Sequence, residues 1–452
     1  MSHVTVVGGG LAGCEAAWQL ARRNIQVTLV EMRPEEMAPA HGTDLLAELV
    51  CSNSLKSTDM GTPAGLLKAE LAALDSLILE AARASSVPAG SALAVDRIRF
   101  ARLVTQRIAE HPNIEVVCRR QDRLPDPPAI LATGPLTSGD LAKALAEAAG
   151  RPLTFYDAIA PIVDADSIDW DHAFVASRWE NATSKPANTP DPTRFGFPAM
   201  ATSKGDYVNC PMDRGQYEAF VDALLSASQV QAHEFEDARY FESCLPIEVM
   251  ARRGLDVLRH GPMRPIGIQD PATGKRPYAV VQLRLENSHK TAYNMVGFQT
   301  RLRYGEQTRI FRMIPGLGDA NFLRYGSIHR NSYLNAPACL NARFELDKAP
   351  GIRVAGLLAG VEGYMESTAM GLLAGLLLAA DLTGANLDPP PQTTALGALH
   401  TYLQRDRGGA FIPTNMNMSL FPPLDVEERM SKKERRLRTA RRALDDLLLW
   451  KA

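Results

Sequence analysis

Apolar positions in the first thirty residues change their period twice. "VTVVG" is a short β-branched run, "LAGCEAAWQLARR" repeats its apolar residues at helical spacing, and "IQVTLVE" returns to strand character. That order predicts a parallel β-α-β unit at the extreme N-terminus. Helical patterns follow from about Ala64 to Arg83, and "AILATG", residues 129–134, reads as a strand ending in a glycine turn. From residue 151 to about 318 short strands mix with irregular polar segments. One of these, "NATSKPANTPDPTRFG", is rich in Pro, Thr and Asn and reads as a long loop. Near residue 352 the first pattern returns, since "IRVAGLLAGVEGYMESTAMGLLAG" is strand, glycine-rich turn and helix. The expectation is an α/β protein whose Rossmann-type domain (1–150 and 319–425) is interrupted by a smaller α+β insertion domain (151–318). Residues 426–452 are expected to form a basic helical tail.

Composition narrows the class modestly. At 452 residues, 46% hydrophobic and 22% charged, the chain fits a soluble protein of two domains or more. The longest apolar run, "AMGLLAGLLLAA", is too short to span a bilayer and reads as a buried helix. No secretory-signal pattern opens the sequence. Cysteines 14, 51, 118, 210, 244 and 339 are scattered without a C-x-x-C, which argues against a disulfide framework or a metal site. A cytoplasmic protein with reduced thiols is expected, with no membrane association and no obligate protein partner evident. Net charge is −2, yet Arg429 to Arg442 carries eight Lys or Arg against one Glu. Taken alone, such a run reads first as a solvated basic helix face.

"VVGGGLAGCEAA" sets Gly8, Gly10 and Gly13 in G-x-G-x-x-G spacing between a strand and a helix, and Glu31 ends the next strand. The first glycine suits a tight turn and the second a close approach to pyrophosphate. The third allows helix–strand packing, and Glu31 can accept hydrogen bonds from ribose hydroxyls. Gly8, Gly9, Gly10, Leu11, Ala12, Gly13 and Glu31 are therefore candidate nucleotide contacts. FAD is favoured over NAD because the motif begins so early and a second glycine-rich turn, with Gly360 and Gly363, precedes a late helix. The N-terminus of such a helix can stabilise charge on a reduced flavin. S-adenosylmethionine gains no support from that late turn.

Two thiols stand out. Cys51 lies in "AELVCSNSLKS", and Cys210 lies in "DYVNCPM", where the following proline predicts an extended backbone. A single cysteine is more often a small core residue than a nucleophile. The blocks "VVGGGLAGCEAAWQLA", "EMRP", "PAHGTD", "LVCSNSLKS", "VPAGSALAVDR", "DYVNCPM", "GFQTRLRYGEQTRIFRMIPGL", "HRNSYLNAP" and "GLLAGVEGYMESTAMGLLAGL" run in order over nearly the whole chain. Together they closely resemble the bacterial folate- and FAD-dependent tRNA (uracil-5-)-methyltransferases. The loop around residues 180–203 departs from that pattern by its length.

The resemblance implies methylation of the T-loop uridine (position 54) of tRNA at C5. Methylenetetrahydrofolate would be the carbon donor, FAD the cofactor, and NADH or NADPH the reductant. Uracil C5 becomes nucleophilic once a thiolate adds at C6, and the C5 proton must later leave to a base. By resemblance Cys210 is the expected C6 nucleophile and Cys51 the second catalytic thiol, lying where uracil meets flavin. His329, Arg330 and Asn331 are candidates for holding folate. Arg252, Arg253, Arg259 and Arg264, with the basic tail, are candidates for tRNA phosphates. Rival readings are the same transfer onto ribosomal RNA, a wobble-uridine-modifying flavoprotein, and a flavin-bearing RNA-binding protein without turnover.

Overall fold

A computed structural model describes residues 2–38, 40–137, 139–150, 153–178, 205–230, 245–405, 411–425 and 430–451; over 153–157 and 328–330 it describes backbone alone. The long loop around 180–203 and Cys244 lie outside the described residues.

The β-branched runs of the two chain ends build one six-stranded sheet. Its order is β16 (Glu345–Leu346), β17 (Ala349–Val354), β7 (Ala129–Leu131), β1 (His3–Val7), β2 (Gln26–Glu31) and β6 (Ile114–Cys118). All neighbours are parallel except the β16–β17 pair. This is the expected Rossmann-type domain, in which β17, arriving late in the chain, closes one side.

The helix Leu11–Ala21 is buried on nearly every side, because it lies between that sheet and the late helix Tyr364–Thr383. Glycines make the helix–helix approach possible. A Cβ on Gly371 would sit 2.2 Å from the Ala12 carbonyl oxygen, and one on Gly375 would sit 3.0 Å from that of Ala16. Helix Tyr364–Thr383 is long and apolar enough to cross a membrane, but most of it is buried inside this fold. Glu70, buried in the helix Pro63–Ala73, accepts from the Ala395 and Leu396 amides at 2.6 and 2.9 Å and so fixes the start of helix Ala395–Gln404.

The inserted segment forms a second six-stranded sheet, antiparallel throughout. Its order is β10 (Phe174–Ala176), β11 (Tyr207–Met212), β12 (Ala279–Leu285), β13 (Ala292–Met295), β9 (Ile162–Asp164) and β14 (Phe322–Arg324). Its core is aromatic, with Phe220 against Phe298 and Phe298 against Phe311. Asp213 and Gln216 form a reciprocal capping box at the start of helix Arg214–Ser226, immediately after "NCPM". The sequence boundary at 318 falls at a turn within this sheet's own chain: β14 still pairs with β9, so the chain leaves the sheet only after Arg324. A two-stranded antiparallel ribbon of β8 (Leu153–Ala158) and β15 (Ile328–Tyr333) joins the halves. A small sheet of β3 (Ser54–Ser57), β5 (Ala92–Val95) and β4 (Ser86–Val87) flanks the junction. The tail helix spans Lys432–Lys451 and docks by Thr439, Ala440, Ala443, Leu444 and Leu447.

Candidate active site

A cavity of about 260 Å³ lies over the C-terminal ends of the parallel strands. Its lining crosses the sheet from Arg119–Gln121 beyond β6, through Glu31, Gly8 and Thr133, to Ala355–Leu357 beyond β17. Ligands of open α/β sheets bind in this crevice, outside the carboxyl ends of the strands.

The glycine turn divides its labour as the spacing predicts. Gly8 has φ +104, and a Cβ there would lie 2.5 Å from the Ala132 carbonyl oxygen. Around Gly10 there is open space, facing the cavity. A Cβ on Gly13 would lie 1.8 Å from the Gly8 carbonyl oxygen, so only glycine lets the helix meet its strand. Helix Leu11–Ala21 has no side-chain cap and no acid in its first turn, leaving its first amides for an anion. Gly9 and Gly13 serve the turn from behind and do not line the cavity; the Gly9 amide donates to Glu31 at 2.6 Å. Burial raises the Glu31 carboxyl, but the Arg33 guanidinium (2.9 Å) and the Gly9 amide outweigh it and hold the group below its ordinary range. At this end His41 also faces the cavity, with a buried Nδ1 that has no hydrogen-bond partner among the described residues. Uncapped amides, an ionised acid and an orphaned ring nitrogen along one crevice fit the phosphates, ribose and base of a dinucleotide.

At the other end the late glycines need correcting. Gly360 is a left-handed cap packed under Phe411, and Gly363 precedes helix Tyr364–Thr383 with Glu366 and Lys56 behind it; neither lines the cavity. The glycine that does is Gly356, with φ +75 and Ala12 2.8 Å from where a Cβ would be. The strand ends at Val354, so its turn comes before the "AGVEG" glycines. Tyr364 and Ser367 from the helix's first turn complete this wall.

Cys51 stands at this end, partly exposed and lining the cavity beside Ile159 and Asn331. Its loop is held from several directions. The Tyr364 hydroxyl accepts from the amides of Cys51 (2.8 Å) and Ser52 (3.2 Å). Arg97 donates to the Leu49 and Cys51 carbonyls, and Arg324 to those of Val50 and Cys51. Arg284 reaches Ser52 Oγ at 2.8 Å and Asn53 Oδ1 at 2.9 Å. Asn53 in turn donates to Val95 and Leu285 across the domain junction. Glu286 pairs with Arg97 at 2.7 Å, so three guanidinium groups within electrostatic reach of Cys51 face one carboxylate. Burial pushes the Tyr364 phenol far above its ordinary range, so it stays protonated.

Cys210 is elsewhere. Alternation along β11 turns Val208, Cys210 and Met212 into the second core, while Asn209, on the opposite face, meets Gln282. Cys210 is fully buried, and burial pushes its thiol up to about 12. The extended backbone expected before Pro211 is present, but the structure does not bring the two thiols into one pocket. In native protein at pH 8, iodoacetamide should label Cys51 and the exposed Cys118 and spare Cys210, which should react only after unfolding. Peptide mapping of labelled thiols checks this, and rapid native labelling of Cys210 would show that its core opens.

The other candidates scatter. Asn331 lines the cavity, whereas the side chains of His329 and Arg330 lie outside the described residues. Arg252, Arg253 and Arg264 are exposed on the insertion domain, away from the cavity lining. Arg259 is engaged at home, over the Tyr278 ring at 3.7 Å and paired with Asp256. Arg97, Arg284, Arg324 and Tyr364 were not singled out from sequence, although Arg97, Arg324 and Tyr364 lie in or beside the blocks that carry the resemblance.

The family described as glucose inhibited division protein A matches residues 3–386. Among solved structures, the form II crystal of Aquifex aeolicus GidA superposes with a TM-score of 0.69 at 16% identity, covering 99% of this chain and 73% of that one; at that identity the likeness concerns the fold. Curated relatives named methylenetetrahydrofolate–tRNA-(uracil-5-)-methyltransferase TrmFO are much nearer in sequence. The Geotalea uraniireducens protein is 51% identical, covering 99% of this chain and 98% of its own. That of Desulfotalea psychrophila is 50% identical, with 93% and 91% covered. Identity at that level over both domains, on a crevice that fits a dinucleotide and ends at a thiol, places this chain in the TrmFO family of methylenetetrahydrofolate–tRNA-(uracil-5-)-methyltransferases.

Proposed function

We propose that this protein methylates C5 of the T-loop uridine of tRNA, with methylenetetrahydrofolate as carbon donor and NADH or NADPH as reductant. The observation that carries the reading is Cys51, a partly exposed thiol at the inner end of the dinucleotide crevice, on a loop fixed by Tyr364, Arg97 and Arg324.

FAD is held, in this reading, by the Gly8–Ala12 turn, Glu31, Thr133–Gly134 and Ala355–Leu357. When bound it supplies the two electrons that take a carbon at the formaldehyde level to a methyl group. The chain's own residues do the rest. Cys51 adds as thiolate to uracil C6, which pushes electron density onto C5 and O4 so that C5 can attack the one-carbon unit. The C5 proton then leaves to a base and the bond between the carbon and its donor nitrogen breaks. Once that carbon has taken the hydride equivalent that a bound, reduced flavin would supply, the thiolate is expelled as the C5–C6 double bond re-forms. This moves the nucleophile's role, expected of Cys210, to Cys51 and leaves Cys210 with no contact to the reacting base. Exposure and position favour Cys51 as nucleophile, and Cys210 is too deeply buried to touch a base in this arrangement. The Arg97, Arg284 and Arg324 guanidinium groups hold the Cys51 loop in place. Asn331, on the same wall, is placed to hydrogen-bond folate or uracil, and His329 and Arg330 remain proposed for folate on the resemblance alone. The basic face of helix Lys432–Lys451 and the exposed arginines of the insertion domain are proposed to meet tRNA phosphates.

Incubation of the flavin-loaded protein with unmodified tRNA, NADH and methylenetetrahydrofolate labelled in its methylene carbon tests the reading. Label is expected in 5-methyluridine of the T-loop. Label in ribosomal RNA only, or none in any RNA while NADH is consumed, would overturn it.

A further inference from the structure

The helix Tyr304–Phe311 opens with a tyrosine that is 61% exposed, the most exposed Phe, Tyr or Trp among the described residues. Exposure usually leaves a side chain free to rotate, but this one is stacked. Its ring lies on that of Tyr325, with centroids 4.9 Å apart and planes 20° from parallel. Tyr325 is itself fixed, by a hydroxyl contact with Thr308 Oγ1 at 2.9 Å and by ring packing on Phe322, which joins the core through Phe311. The pair therefore presents a rigid aromatic face to solvent.

Its neighbours are chosen for an anion. Arg303, the residue before Tyr304, is exposed and has no acidic partner among the described residues. The helix start has no side-chain cap, and open space lies over Gly305. Glu306, the acid of that first turn, is neutralised by Arg309. A free guanidinium and uncapped amides beside a flat ring match a phosphate next to a base. A protein partner would gain little from so small a patch.

Its position is tied to the thiol. Tyr325 directly follows Arg324, whose guanidinium donates to the carbonyls of Val50 and Cys51. A uridine reaching Cys51 must leave its stack, and the nucleotides beside it lose a stacking neighbour. We infer that Tyr304 on Tyr325, with Arg303, is a stacking platform for an unpaired nucleobase flanking the target uridine. The inference rests on the RNA-methylation reading and adds where the loop around the target is gripped.

The test uses the flavin-loaded enzyme, a full tRNA transcript, and the same tRNA with 2-aminopurine beside the target uridine. Tyr304→Ala is expected to weaken tRNA binding about tenfold, in line with base–aromatic stacking, to raise KM more than it lowers kcat, and to lose the quenching of 2-aminopurine. Tyr304→Phe should retain all three properties, because the ring carries the contact and the hydroxyl does not. Tyr304→Leu, which still covers Tyr325 but has no π face, should behave like the alanine variant and guards against a folding defect; flavin content and melting confirm each fold. Unchanged binding in both the Ala and Leu variants, or equal damage from Phe, overturns the platform. If the unsubstituted enzyme binds and quenches the probe but does not methylate, the platform stands and the reaction reading falls. If it methylates and Tyr304 proves irrelevant, only the platform falls.

Discussion

Cys51→Ala is expected to retain flavin and fold yet lose methyl transfer by roughly three orders of magnitude or more, the scale seen when a covalent nucleophile is removed. The loop does not depend on the sulfur for its shape. Its amide meets Tyr364 and its carbonyl meets Arg97 and Arg324, whereas among the described residues Sγ makes only a long contact, 3.9 Å, with the Ala158 carbonyl. RNA carrying 5-fluorouridine at the target sharpens the result, since fluorine cannot leave C5 as a proton does and the thiol adduct persists. A denaturation-resistant adduct should form with the unsubstituted enzyme and with Cys210→Ala, and be absent in Cys51→Ala. Cys210→Ala should instead cost about 1 kcal/mol of insertion-domain stability by leaving a small void beside Gly316. The reverse adduct pattern would return the nucleophile's role to Cys210 and require its core to open during the reaction.

Gly13→Ala is expected to give a protein that purifies without colour. Overpacking costs ~1–3 kcal/mol where side chains can yield. Here the new Cβ would lie 1.8 Å from the Gly8 carbonyl oxygen, an obstacle of backbone. Helix Leu11–Ala21 must move off β1, and the anion-facing amides move with it. Visible absorbance after reconstitution with excess FAD measures the loss, and full flavin occupancy would show that the turn yields without harm. Gly10→Ala, with open space at its Cβ, is the milder comparison in the free protein, because any clash there would be with the ligand alone.

The dinucleotide crevice was legible from sequence because its determinants are local: Gly8, Gly10, Gly13 and Glu31 lie within one β-α-β unit. The late turn was located only to within a few residues. Gly356, Gly360 and Gly363 all have positive φ, and nothing in their spacing tells which one faces the cavity. The fate of Cys210 depended on the direction of a side chain in β11, and a one-residue alternation decides between cavity and core. "NCPM" predicts the extended backbone without predicting the face. The hold on Cys51 was least legible, because Arg97, Arg284 and Arg324 come from three strands and helices far apart in the chain and act on backbone carbonyls or small side chains of the loop.

The loop of Cys51 is held from both halves of the molecule, by Arg97 and Tyr364 on the nucleotide-binding side and by Arg284 and Arg324 on the insertion side. The sulfur's position is thus set by the angle between two bodies joined by a two-stranded ribbon. Grip on the insertion domain, far from the reacting base, becomes leverage on that position. In the proposed reaction, a T-arm fragment that still reaches Tyr304 but not the more distant surface of the insertion domain should therefore suffer in turnover more than in affinity, because contacts remote from the chemistry work by aligning what reacts.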